Sequence, residues 1–258
     1  MNVFVFDIET IPDVDGGRRV YGLDGLSEKD TVTAMENLRQ QENGTTFLRH
    51  HLQRIVAISA VLRTGNTLKV WSLGEEGSSE KELIERFFAG IEKYTPTLVS
   101  WNGGGFDLPV LHYRAMVHGV TAARYWDQGD GDRDFKWNNY ISRYHARHTD
   151  LMDLISLYQG RAVVPLDQMA SLLGFPGKMG MHGSKVYDAF RAGDIRGIRN
   201  YCETDVLNTF LVYLRFELMR GNLTREAHDA ECRRVREYLK ASGQPHLAEF
   251  EQRWTDLL

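Results

Sequence analysis

At 258 residues, with 42% hydrophobic and 26% charged side chains, the chain has room for a sizeable buried core and is neither a fibre nor a disordered segment. Its formal net charge of −4 argues against coating of long nucleic acid, but not against gripping a few terminal nucleotides where bound cations supply local positive charge. No apolar run approaches the roughly 20 residues of a membrane span, no basic stretch precedes the first apolar run, and Cys202 and Cys232 form neither a disulfide framework nor a CxxC motif, so no membrane is expected and the cytoplasm is the expected location.

Residues 2–7 are a short apolar run rich in β-branched and aromatic side chains, which predicts a first buried strand. Residues 11–25, rich in Pro, Gly and Asp, read as an excursion. Ser27-Glu28-Lys29-Asp30 then resembles a capping box opening a helix to about Gln41. Residues 53–63 and 67–73 read as a strand pair turning at Thr64-Gly65-Asn66. Residues 79–94 carry Leu83, Ile84, Phe87, Phe88 and Ile91 as an apolar helical stripe. Another short strand is expected over 97–101, and Asn102-Gly103-Gly104-Gly105 leads into a helix over 106–118. Residues 124–148 alternate aromatic and polar side chains about Gly129-Asp130-Gly131, as a hairpin or edge strand would. Helices follow at 150–158, 166–173, 184–192, 194–219, 224–241 and 246–257. No repeat or linker divides the chain. We expect a single domain over 1–258, with a core of about 1–220 and a helical elaboration over about 221–258.

Three acidic motifs carry the chemistry. In Phe6-Asp7-Ile8-Glu9-Thr10, side chains alternate along the strand, so Asp7 and Glu9 share a face. Two such carboxylates repel unless a cation lies between them, which makes the pair costly as structure and sensible as a metal site. In Asn102-Gly103-Gly104-Gly105-Phe106-Asp107, Asp107 sits near a helix start, where alone it reads as a cap. The run is no P-loop, since no Gly-Lys-Ser/Thr follows. In Tyr201-Cys202-Glu203-Thr204-Asp205, the four-residue spacing puts Tyr201 and Asp205 on one helical face, where a phenol beside a carboxylate can position an attacking water.

Asp-x-Glu, then Asn-x-x-x-Phe-Asp, then Tyr-x-x-x-Asp, in that order, resembles the exonuclease motifs of family B DNA polymerase proofreading domains. More closely, the chain resembles the PolB-like predicted 3′–5′ exonucleases, stand-alone members of the DEDD superfamily. Phe106-Asp107-Leu108-Pro109-Val110-Leu111, His148-Thr149-Asp150-Leu151-Met152-Asp153-Leu154 and Leu166 to Gly174 followed by Lys178 extend the likeness over roughly residues 3–220. The resemblance implies an α/β, ribonuclease H-like fold: a mixed central sheet flanked by helices, here with extra C-terminal helices. It also implies that Asp7, Glu9, Asp107 and Asp205 hold two Mg²⁺ or Mn²⁺ ions, that Tyr201 orients the attacking water, and that a nucleoside 5′-monophosphate leaves. Asn200, not His, stands five residues before Asp205, which is the tyrosine variety. Thr10 and Ile11 would border the terminal nucleotide, Asn102, Phe106 and Leu108 would shape its pocket, and Lys178 would lie near its phosphate.

The expected partner is a nucleic-acid 3′ end, single-stranded DNA favoured and RNA possible. A non-catalytic ribonuclease H-like binding module and a related endonuclease are the alternatives. Asp150 and Asp153 have the spacing of an N-cap with a first-turn acid, and His145, His148 and His182 lack metal-ligand spacing. The aromatic and basic side chains between Arg124 and Tyr144 could stack single-stranded substrate or belong to a half-buried hairpin.

Overall fold

The computed structural model describes residues 1–255. A five-stranded sheet runs in the order β3-β2-β1-β4-β5, with β1 (Asn2–Pro12) at its centre, β2 (Gln53–Thr64) and β3 (Thr67–Ser72) on one side, and β4 (Thr97–Ser100) and β5 (His148–Asp150) on the other. β1 is antiparallel to β2 and parallel to β4, and β5 is parallel to β4, so the sheet is mixed as expected.

Alternation along β1 explains the layers. Val3 and Val5 face one side, in a core shared with Val206, Leu207, Phe210 and Leu211 of the long helix α9 (Ile195–Met219). Phe4, Phe6 and Ile8 face the other, against α3 (Glu80–Tyr94) and α4 (Asp107–His118) through Ile84, Phe87, Leu108 and Leu111. The last two helices, α10 (Arg225–Ala241) and α11 (Pro245–Arg253), join the α9 layer through Val235, Leu239, Leu247 and Phe250. Among the described residues no helix is long and apolar enough to cross a membrane.

Several expectations need correction. The excursion after the first acids is ordered: β1 runs to Pro12, and Asp13 caps a helix α1 (Val14–Tyr21). Helix α2 (Glu28–Asn43) does start from Ser27, whose Oγ accepts the Asp30 N–H. Residues 124–148 form no hairpin. They hold helix α5 (Ala123–Trp126), a 3-10 turn at Arg133–Lys136 and loops, with strand pairing only from His148. Their aromatic content comes from burial, not strand alternation: Tyr125 and Tyr140 stack at 5.5 Å, and the Tyr140 hydroxyl donates to the Pro96 carbonyl at 2.7 Å. Helix α6 (Leu151–Ile155) is shorter than expected because Leu157 and Tyr158 adopt left-handed backbone, φ 51° and 58°. Helix α7 (Leu166–Leu172) stands as predicted, and α8 (Val186–Arg191) follows a 3-10 turn. Helix α11 ends at Arg253, so Trp254 and Thr255 are not helical as expected, and positions 256–257 of the expected helix lie outside the described residues.

Candidate active site

The acids converge because β4 is short. It pairs with β1 only at Val3, Phe4 and Val5, so beyond Val5 the β4-side backbone of β1 lacks a strand neighbour. Asp107, the first residue of α4, fills the gap: its Oδ1 accepts the Ile8 N–H at 3.1 Å, between Asp7 and Glu9. A buried N–H without an acceptor would be destabilising, so Asp107 also completes the sheet. After Glu9 the β1–β2 register breaks in a bulge, which re-aims the strand directly beyond the acid pair.

The loop that delivers Asp107 requires its glycines. Asn102 is left-handed at φ 64°, a conformation Asn tolerates, and its carbonyl accepts the N–H groups of Gly105 and Phe106. A Cβ on Gly103 would lie 2.3 Å from the Ser100 Oγ, and one on Gly105 would lie 2.4 Å from the Asn102 Oδ1. The carboxylate of Asp150 ties the loop to β5, accepting the N–H groups of Asn102 at 2.9 Å and Gly104 at 2.8 Å. It also caps α6, so Asp150 is spent on structure. His148 is likewise structural: its Nε2 meets the Ser100 Oγ at 2.9 Å, and burial lowers its pKa to about 4, keeping it neutral. His145 Nδ1 accepts the Asn139 N–H.

From the other face, α9 brings Tyr201, Cys202 and Asp205 against β1. Ligand atoms of Asp7, Glu9 and Cys202 lie within 4.8 Å of one another. The buried Cys202 thiol donates to Asp7, to its carbonyl at 3.4 Å and its Oδ2 at 3.6 Å. Sequence spacing offered no sign of this contact, because Asp7 and Cys202 lie 195 residues apart. Glu9 and Asp107 are buried, while Asp7 and Asp205 are partly open to solvent.

Burial, then repulsion from Asp107, Glu9 and Asp205, pushes the Asp7 carboxyl well above its usual range. Glu9 is raised by burial, then by Asp205 and Asp107. Burial raises Asp107 and Asp205 to about 7 each, and the Tyr201 hydroxyl, donating to Asp205, partly offsets the latter. Tyr201 itself is pushed up by burial and by Asp205 and Glu9, so its hydroxyl stays protonated and acts as a donor, not as a base. Lys178 acts in the opposite sense on Asp205, after burial, the Tyr201 hydroxyl and Asp167, and the carboxyl still stays raised. The cluster therefore lacks internal neutralisation. Its carboxylate oxygens suit hard divalent cations, so the residues fit a metal centre.

A cleft of about 510 Å³ opens onto Asp7 and Asp107, lined also by Asn102 and Phe106. Gly105, Phe47, His50, Trp101, Met152, Pro165 and Leu166 complete it, none of them given a site role from sequence. The Phe106 ring lies 5.6 Å from Phe47 and 5.4 Å from His50, whose Nε2 meets the Gly105 carbonyl at 2.9 Å. Other sequence candidates lie off this cavity. Thr10 donates to the Gln53 Oε1 at 3.0 Å, Ile11 is buried in the patch that supports Tyr201, and Leu108 is buried on the inner face of α4. Lys178 follows Gly177, whose N–H and carbonyl are both bound by the buried Asn208 amide, one turn beyond Asp205.

The sequence model of a family described as "Predicted 3'-5' exonuclease related to the exonuclease domain of PolB" matches residues 45–254. The chain belongs to this family. The matched span begins after β1, so Asp7 and Glu9 come from a strand outside it. Among solved structures, the family B DNA polymerase of the hyperthermophilic archaeon Pyrobaculum calidifontis is similar over 85% of this chain and 24% of that one, with a TM-score of 0.52 and 19% identity. The exonuclease family member thus spans about a quarter of that polymerase, and the likeness is one of fold: α/β, ribonuclease H-like. A comparison with curated proteins gave no match.

Proposed function

We propose that the chain is a single-domain, two-metal-ion 3′–5′ exonuclease of the tyrosine variety, releasing nucleoside 5′-monophosphates from single-stranded nucleic acid, with DNA favoured and RNA possible. The observation that carries this reading is the convergence of Asp7, Glu9, Asp107 and Asp205 from three elements into one buried cluster in which all four carboxyls are raised. Asp7, Glu9, Asp107 and Asp205 would hold two Mg²⁺ or Mn²⁺ ions. When bound, such a pair stabilises both the attacking and the leaving oxygen of an in-line displacement.

The chain's own residues do the rest. Tyr201, held protonated, offers its hydroxyl as a donor beside Asp205 and fixes the orientation of the water that attacks phosphorus. The water oxygen forms the new P–O bond as the bond to the 3′ oxygen of the penultimate nucleotide breaks, and that oxygen leaves with a proton. Phe106 and Asn102 line the cleft beside Asp7 and Asp107, where an aromatic face can stack on the terminal base. Lys178, across from Asp205, would meet the phosphate, with Thr10, Ile11 and Leu108 supporting the pocket walls.

The test is digestion of 5′-labelled single-stranded DNA and RNA with and without Mg²⁺ or Mn²⁺. Stepwise shortening that stops in EDTA, with circular single strands left intact, is expected. Oligonucleotide products or cutting of circles would replace the reading with an endonuclease; binding without turnover would replace it with a binding module.

A further inference from the structure

A second cavity, of about 610 Å³, lies next to the acid cleft, between the start of α4, the loop that precedes β5 and the α6 segment that follows it. The two meet across the glycine loop: Gly104 and Leu108 line the groove, while Gly105 and Asp107 line the cleft. The same change of side occurs at the other wall, where Met152 faces the cleft and Asp153 the groove. At this boundary the Gly104 backbone packs close to Asp150, where an added Cβ would stand 3.2 Å from the carboxylate.

The outer wall of this groove carries aromatic and cationic side chains that the fold does not bury. Tyr144 is 83% exposed, Trp126 50% and Tyr158 44%, whereas Tyr125 and Tyr140 are 2% and Phe135 0%. The segment thus splits into a buried set that builds the fold and an exposed set that does not. The Arg143 guanidinium lies 5.0 Å from the Tyr144 ring and 5.3 Å from the Tyr158 ring. The Tyr158 hydroxyl donates to the Arg143 carbonyl at 3.3 Å, and the left-handed backbone at Leu157 and Tyr158 holds that ring at the groove.

We propose that this groove holds the nucleotides upstream of the one being removed, with Tyr144 and Tyr158 as stacking faces and Arg143 as the phosphate contact. The inference rests on the exonuclease reading. If the 3′-terminal nucleotide occupies the acid cleft, the rest of the strand leaves through an adjoining channel. This groove adjoins the cleft and offers flat rings to unpaired bases and a cation to phosphate, the combination that grips single strands without regard to sequence. The cavity beside α1 is lined by Arg19, Arg54 and the buried Arg114, which Glu80 and Asp13 already bind, but Tyr113 is the one tyrosine, tryptophan or phenylalanine in its lining, so it lacks the paired rings of this groove.

Fluorescence anisotropy of 5′-fluorescein (dT)3, (dT)12 and (rU)12 in EDTA tests the proposal in the absence of cutting. The unaltered protein is expected to bind (dT)12 about tenfold or more tightly than (dT)3. In the exposed double variant Arg143→Ala/Tyr144→Ala that gain should fall by about tenfold. No length gain in the unaltered protein, or a gain that survives in the variant, overturns the proposal. The (rU)12 arm separates DNA from RNA as the strand gripped. Hydrolysis of the p-nitrophenyl ester of thymidine 5′-monophosphate, too small to reach the groove, is measured alongside. Its metal-dependent turnover by both proteins keeps the exonuclease reading even where the groove proposal fails, and its absence from both removes the exonuclease reading.

Discussion

Two clusters of buried charge flank β1, and they are built on opposite plans. Near the end of β1, Arg114 of α4 donates to both oxygens of Glu80, at 2.8 and 2.6 Å, and also binds Asp13. Glu80 further accepts the Ile55 N–H at 2.7 Å and contacts His118 at 2.7 Å. Every charge there meets an opposite one inside the protein. A few residues earlier on the strand, Asp7 and Glu9 meet Asp107 and Asp205, and all four are pushed toward protonation. A self-neutralised cluster is part of the scaffold. A cluster of one sign, held open to a cleft, is one that a cation from outside would stabilise, and the proposed metal site rests on that contrast.

The comparison breaks first if Asp7→Ala keeps its activity. Loss of about 10³-fold in nucleotide release is expected, since metal-borne charge stabilisation contributes several kcal/mol, with folding retained by circular dichroism. The converse is expected for Arg114→Ala. It leaves Glu80 and Asp13 buried without a partner, so urea denaturation should show a loss of about 3–5 kcal/mol that added Mg²⁺ does not restore.

Tyr201→Phe sharpens the account of the site by removing one donor hydroxyl. A kcat about 10- to 100-fold lower with the fold intact is expected, the effect of one hydrogen bond to a charged group. The smallest effect is on thermal stability against pH. Asp107 and Asp205 keep their protons in the folded, metal-free chain up to about 7, whereas the unfolded chain releases them near the usual carboxylate range. Their contribution is therefore full at acid pH and is lost as pH rises through about 7. In EDTA the Tm should fall by on the order of 5 °C between pH 5 and pH 8, and Mg²⁺ should reverse the fall. A flat profile would mean that the acids are neutralised from within.

What was legible in the sequence follows from how local the cause is. The strand run at Val3 to Phe6, the stripe Leu83-Ile84-Phe87-Phe88-Ile91 and the capping start at Ser27 depend on neighbours a few residues away, and the structure bears them out. The four acids could be picked out because their order and residue types carry meaning without coordinates, and the structure brings them close together. Residues 124–148 misled because the buried Tyr125, Phe135 and Tyr140 mimic strand alternation while packing on distant helices. The cleft walls Phe47 and His50 were illegible, since only folding brings them to Phe106. So was the Asp107 bond to the Ile8 N–H, which depends on β4 stopping at Ser100.

The most direct test of the central claim is a Mn²⁺ titration followed by electron paramagnetic resonance at pH 8, comparing the unaltered chain with Asp7→Ala and Arg114→Ala. Two bound ions per chain, lost or reduced in Asp7→Ala and kept in folded Arg114→Ala, are predicted. A chain that takes up no Mn²⁺ at millimolar concentration, or binds it equally well without Asp7, would contradict the claim.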